Sequence, residues 1–212
     1  MNFTQDTIIN VLESIYEYVL EGLPAAGSVT ELGDKYLGRK DNNPELAAES
    51  LIKRQTAKCA ASGFLSGIGG AIVLPFTVPA DVAANFYVQM RMSAAIAHMY
   101  GFDVRSEEVK TFIFLSLIGE GVMEVLKGAG IDMGTHFTKQ TIKSMSKDLI
   151  FKVNRAIGMR LLTKFGEKGA IKLGRLVPLA GGLIGAGVNS YYCVKVGAAA
   201  IEIFSGREDV SG

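Results

Sequence analysis

Asp81, Asn85 and Gln89 stand four residues apart in the apolar stretch "PADVAANFYVQMRMSAAIAHMYG", where Arg91 and His98 are the other polar groups. On a helix, that spacing places the three on one stripe. An isolated buried charge is costly, so Asp81 needs a partner if it points inward. Two readings follow. Asp81 caps a helix that starts after Pro79, where the helix dipole favours a carboxylate. Alternatively, the stripe is a polar seam lining an interior pocket, with Arg91 as counter-charge. Together with Glu120, such a seam would hold the groups a hydrolase-like enzyme needs.

Glu120 and Glu124 in "LIGEGVMEVLKG" are also four apart. Two carboxylates on one helix face can bind a metal or move protons. The Glu-x-x-His pattern of carboxylate-bridged metal bundles is missing, and His98 and His136 are the only histidines. An i, i+3 surface pair between Glu124 and Lys127 is the plainer reading. The glycine-rich runs "SGIGGAIVLP" and "LAGGLIGAG" lack the strand–turn–helix context of a nucleotide loop, and there is no G-K-[ST]. No G-x-S-x-G elbow and no Cys/His spacing suited to zinc occurs. The expectation is no metal, no cofactor and no nucleic-acid partner.

The net charge of +1 is unevenly spread: residues 127–175 hold 11 bases against 3 acids, a net +8. Such asymmetry points to an anionic partner. Ile142, Met145, Leu149, Val153 and Ile157 recur at helical spacing. Lys139, Lys143 and Lys147 form a stripe beside them, with Lys152 and Arg155 further round. Basic amphipathic helices bind anionic membrane surfaces; a solvated outer face of a core helix has the same pattern. There is no Trp, so Tyr and Phe must serve as interfacial anchors.

The elements that position these residues read as helices throughout. Ile8, Ile9, Leu12, Ile15, Tyr16, Val19 and Leu20 predict an amphipathic helix over 4–21, ended by "GLPAAG". A short helix is expected near 28–37. Asn43 as N-cap and Pro44 at the first helical position open another. A helix restarts near Ala80 and stops at Gly101. Ser106 caps a helix running through "EEVKTFIFLSLIGEGVMEVLKG", residues 138–165 are helical and basic, and a last helix covers 180–204. "FYVQMRMSAAIAHMYG" and "YYCVKVGAAAIEIFSG" align without gaps, as a duplicated hairpin or two Ala-rich helices alike by chance would.

Cys59 to Ala80 carries no charge, and Leu176 to Val194 is similar. The first is long enough to span a bilayer. However, Pro75 and Pro79 free backbone groups that lipid cannot satisfy. The expectation is a bent helix–loop element packed against residues 176–194 without crossing. Gly63 and Gly67, and likewise Gly181 and Gly185, form small-residue stripes for close helix contact. Cys59 and Cys193 read as small buried hydrophobes in a reducing compartment. The N-terminus lacks a basic leader and reads as intracellular.

The stretches "SGFLSGIGGAIVLPFTVPADVAANFYVQMRMSAAIAHMYGFDV" and "RLLTKFGEKGAIKLGRLVPLAGGLIGAGVNSYYCVKVGAAAIEIF" resemble the EcsC family over residues 44–204. The most specific pieces are "LPFTVPAD" leading into "AAIAHMYG", and "KFGEKG…KLGRLVPLAGGLIGAGVN". The family pattern leads one to expect Asp at position 189; Asn189 stands there, and is counted with the polar seam. The family is named for a gene beside a bacterial ABC exporter, and related domains occur with lipid-binding modules. The resemblance therefore implies work at membranes and no particular reaction.

The reading is an all-α chain, with a helical arm at 1–43 and an EcsC-like helical domain at 44–212 built around two Gly-rich, proline-broken apolar hairpins. The expected function is non-enzymatic: a cytoplasmic protein held peripherally at the inner face of a membrane by anionic lipid or by a membrane protein such as a transporter. A hydrolase-like enzyme using Asp81, Asn85, Arg91 and Glu120, and a soluble module that forms homo-oligomers, are the alternatives.

Overall fold

The computed structural model describes residues 4–23, 26–60, 80–131, 139–165 and 183–206. They form nine α-helices, with no strand among the described residues. In chain order these are α1 (Gln5–Glu21), α2 (Val29–Leu37), α3 (Pro44–Ala60), α4 (Ala80–Met99), α5 (Glu107–Ser116), α6 (Val122–Gly128), α7 (Lys139–Lys143), α8 (Lys147–Phe165) and α9 (Leu183–Ser205). The chain is all-α.

Local chemistry sets the ends. Thr4 accepts from the Thr7 N–H to start α1, and Gly22 closes it at φ +82°. Ser28 and Glu31 form a capping box on α2. Asn43 Oδ1 accepts from Leu46 N–H at 3.1 Å at the start of α3, and Ser106 caps α5.

α4 lies at the centre, against α1, α2, α3, α5 and α9. Its residues are buried almost all the way round, from Ala83 to Ala97. A helix buried on nearly every side is a core helix, and its many alanines let neighbours approach from all directions. α9 packs most extensively on α3, while α8 lies against α1, α5 and α6. α1 contributes Val11, Leu12, Ile15, Tyr16 and Val19 to the same core. Tyr16 donates to Val104 O at 2.7 Å and meets Phe114 edge-on at 5.6 Å.

Two expected helices are broken. The helix over 107–128 stops at Ser116 and restarts at Val122, because Gly119 (φ +73°) and Gly121 (φ +84°) turn the chain between them. The basic helix over 138–165 is divided at Ser144–Ser146, where Ser146 accepts from Leu149 N–H at 3.2 Å and caps α8. Lys139 and Lys143 therefore sit on α7 and Lys147 opens α8, so they do not form one continuous stripe.

Close helix contacts occur at glycines the small-residue stripes did not include. A Cβ at Gly158 would lie 2.7 Å from Gln5 O in α1, and one at Gly197 would lie 2.5 Å from the Ile52 side chain in α3. Gly63, Gly67, Gly181, Pro75, Pro79 and the proposed packing of the two apolar runs lie outside the described residues, as do the surroundings of Gly185.

Candidate functional site

The turn Gly119–Glu120–Gly121 is pressed between α8 and α9. A Cβ at Gly119 would lie 3.2 Å from Lys195 Cβ, and one at Gly121 would lie 2.9 Å from Arg160 Nη2. Only glycine combines positive φ with that closeness. The turn therefore presents Glu120 to an open cleft of about 280 Å³, lined by Ile118, Glu120, Arg160, Thr163, Tyr191, Tyr192 and Lys195.

Among the described residues, the charges of the cleft are balanced in pairs. Lys195 Nζ lies 2.8 Å from Glu120 Oε1 and 5.4 Å from the Tyr191 ring centroid. Tyr191 donates its phenolic hydrogen to the same Glu120 oxygen at 2.9 Å. Arg160 Nη2 lies 3.3 Å from Glu124 Oε2, on the first turn of α6. The hydrogen bond to Glu120 holds the Tyr191 phenol above its ordinary pKa, and the Glu120 carboxylate does the same for the Lys195 ammonium. Tyr191 therefore stays a neutral donor and Lys195 a cation. Neither group is placed to take a proton near neutrality.

The polar seam does not assemble as one site. Asn85, Gln89 and Asn189 come together with Tyr192 around a small pocket of about 60 Å³. Arg91 faces elsewhere: its Nη2 donates to Ala26 O at 2.7 Å, Gly27 O at 2.9 Å and Ser28 O at 3.3 Å, holding the chain that enters α2. Asp81 falls in the first turn of α4, with its side chain outside the described part. Glu120 belongs to the cleft. Glu120 and Glu124 do not share a helix face, because Glu120 sits in the turn, and Glu124 pairs with Arg160 instead of Lys127. Among the described residues no group of acids, His and Cys is arranged to hold a metal ion. Cys193 is buried, with its Sγ 4.0 Å from Met92 Sδ.

The outer face of α8 is a second feature. Phe151 is 64% exposed and Met159 53%. At about 100° per residue, Phe151, Arg155 and Met159 fall within an arc of about 80°, opposite buried Val153, Ile157 and Leu161. Lys139, Lys143, Lys147, Lys152 and Arg155 are all exposed. Lys152 pairs with Asp148 at 2.7 Å, and Lys139 Nζ lies 5.6 Å from the Phe102 ring centroid. No helix among the described residues is long and apolar enough to cross a membrane.

Arg160, Tyr191, Tyr192 and Lys195 escaped sequence reasoning because they lie 40 to 75 residues from Glu120 in the chain. The local signal was "GEG", two glycines interrupting an apolar helical pattern. Phe151 and Met159 escaped because the apolar face was traced through Leu149 and Val153.

The curated protein "Uncharacterized protein YdbA" of Bacillus subtilis (strain 168) is 28% identical over 143 residues, 67% of this chain and 49% of that protein. The chain thus spans about half the length of the curated relative it matches. No solved structure matches it. The family model described as "EcsC protein family" matches residues 4–208, which extends the likeness from the 44–204 stretch to α1 and α2. With that match running through all nine described helices, the chain belongs to the EcsC protein family.

Proposed function

We propose that this protein is a non-enzymatic binding protein that associates peripherally with anionic membrane surfaces, through the outer face of α8 and the basic residues leading into it. The observation that carries the reading is the exposure of Phe151 and Met159 on either side of Arg155. Large apolar side chains left in water beside cations are the composition of an interfacial helix. Lys139, Lys143, Lys147 and Arg155 would each contribute about 1 kcal/mol near an anionic surface. Lys152 contributes less, because Asp148 offsets its charge. Location at the inner, cytoplasmic face follows from the same charge, since that leaflet carries the negative surface potential. A membrane protein with an acidic surface, such as a transporter, would meet the same face.

The hydrolase-like alternative is not favoured, because Arg91, Asn85 and Glu120 are directed to three different places.

Vesicle co-sedimentation tests the reading. The protein should pellet with phosphatidylcholine vesicles containing phosphatidylglycerol, lose that binding as salt rises, and fail to pellet with phosphatidylcholine alone. Phe151→Ser combined with Arg155→Glu should release it while circular dichroism stays helical. Equal pelleting by the wild type and this variant at low salt would refute it.

A further inference from the structure

We propose that the cleft between the Gly119–Gly121 turn, α8 and α9 binds a small zwitterion, a phosphate and a primary ammonium joined by a short linker, as in the headgroup of phosphatidylethanolamine.

Among the described residues, each cation that lines the cleft already faces a carboxylate, Lys195 with Glu120 and Arg160 with Glu124. A simple anion would have to compete with those carboxylates, and a simple cation with Lys195 and Arg160. A ligand carrying both signs satisfies both sets at once. Exposed ion pairs of this kind add little to stability, so exchanging partners costs little.

The ammonium end has a site marked by the protein itself. Lys195 Nζ rests between the Glu120 carboxylate and the face of Tyr191. Carboxylate plus aromatic ring is the environment that recognises an alkylammonium group. Lys195, on its flexible stem, can move toward the phosphate when a ligand ammonium replaces it. The phosphate end falls to Arg160, whose bond to Glu124 engages one of five N–H donors, with the Thr163 hydroxyl on the same wall. Tyr191, kept as a phenol, continues to donate to Glu120 and holds the carboxylate in place.

Size and position agree. A volume of about 280 Å³ lies at the small end of ligand sites, which suits a headgroup. Ile118, Tyr192 and Tyr191, the last 51% exposed, give the cleft an apolar wall. The carbon linker of the zwitterion would lie against it. Delivery from a membrane rests on the reading of the α8 face; the recognition of the zwitterion does not.

The experiment titrates the full chain with glycerophosphoethanolamine, glycerol 3-phosphate and ethanolamine in parallel. Tyrosine fluorescence is the signal, since the chain has no Trp. The zwitterion should give a saturable change with an affinity at least about tenfold above either half, equivalent to about 1.4 kcal/mol. Arg160→Gln and Glu120→Gln should each weaken it about tenfold, with unchanged thermal midpoints. A second arm adds phosphatidylethanolamine to phosphatidylglycerol vesicles. Tighter binding that Arg160→Gln removes identifies the lipid as the source, and unchanged vesicle binding beside soluble binding identifies the free headgroup. Phe151→Ser with Arg155→Glu should retain soluble headgroup binding even where vesicle binding fails, which separates the two readings. No saturable change, equal response to either half, or indifference to both cleft substitutions would overturn the proposal.

Discussion

Asp34 Oδ1 lies 2.7 Å from His98 Nε2, tying α2 to the central helix α4, and the residue beside Asp34 makes the approach possible. A Cβ at Gly33 would lie 2.6 Å from His98 Cδ2 and 3.3 Å from Ala95 O. In an open helix, alanine would gain about 1 kcal/mol over glycine. Here the ring is held by Asp34 and cannot retreat freely. Gly33→Ala should therefore lower stability by about 1–3 kcal/mol, as overpacking does. The same substitution in a His98→Ala background should cost at least about 1 kcal/mol less, because the ring is gone. Urea unfolding of the four proteins gives the coupling; additive effects would place the strain elsewhere.

Arg91 is buried and spends one nitrogen on three carbonyls at the entrance to α2. Arg91→Met keeps the apolar stem and removes the donor. It should cost about 1–3 kcal/mol, the scale for carbonyls left without a buried donor. Amide hydrogen exchange should quicken at residues 26–32 more than in α5. A variant with wild-type stability and exchange would show that the carbonyls are served by water instead.

Arg91 also shows what a sequence can and cannot convey. As a counter-charge to Asp81 it was reasonable by residue type. By geometry it lies two positions past Gln89, about 200° around the helix, so it faces α2 and not the seam. Caps were legible because their chemistry is local: Asn43 with Pro44, Ser106 and Gly101 each act within a few residues. The breaks at Gly119–Gly121 and Ser144–Ser146 were not, because apolar periodicity continues across both. The cleft was half legible. Glu120 was singled out, but with Glu124 as its neighbour on a helix. Its actual partners, Tyr191 and Lys195, come from α9 by tertiary packing alone.

Tyr16 should make the protein sensitive to alkali. Burial, with further contributions from Asp103, Glu107 and Glu17, pushes its phenol well above the ordinary value of 10.0. A folded-state pKa raised above the unfolded one gives stability that is whole below the unfolded value. That stability is lost as pH climbs from there towards the folded value. Wild-type urea midpoints should thus decline above about pH 10. Tyr16→Phe removes the bond to Val104 O and should cost about 1 kcal/mol at pH 7, with a shallower decline above pH 10. Parallel declines in the two proteins would assign the alkaline loss to other groups.

The outer face of α8 combines two forces that salt can separate. Phe151 and Met159 would contribute by leaving water, at up to about 1.5–3 kcal/mol each if fully buried, and this term is insensitive to ionic strength. Lys147 and Arg155 would contribute by charge, which falls off within a Debye length of about 8 Å at physiological salt. Phe151→Ser with Met159→Ser should therefore weaken binding to phosphatidylglycerol vesicles by a similar factor at low and high salt. Lys147→Glu with Arg155→Glu should weaken it strongly at low salt and little at high salt. Both pairs are exposed, so helicity and thermal midpoint should hold. Binding isotherms at two salt concentrations decide the matter. If the serine pair has no effect at either, the apolar side chains do not enter the interface, and α8 would meet a membrane, if at all, by charge alone.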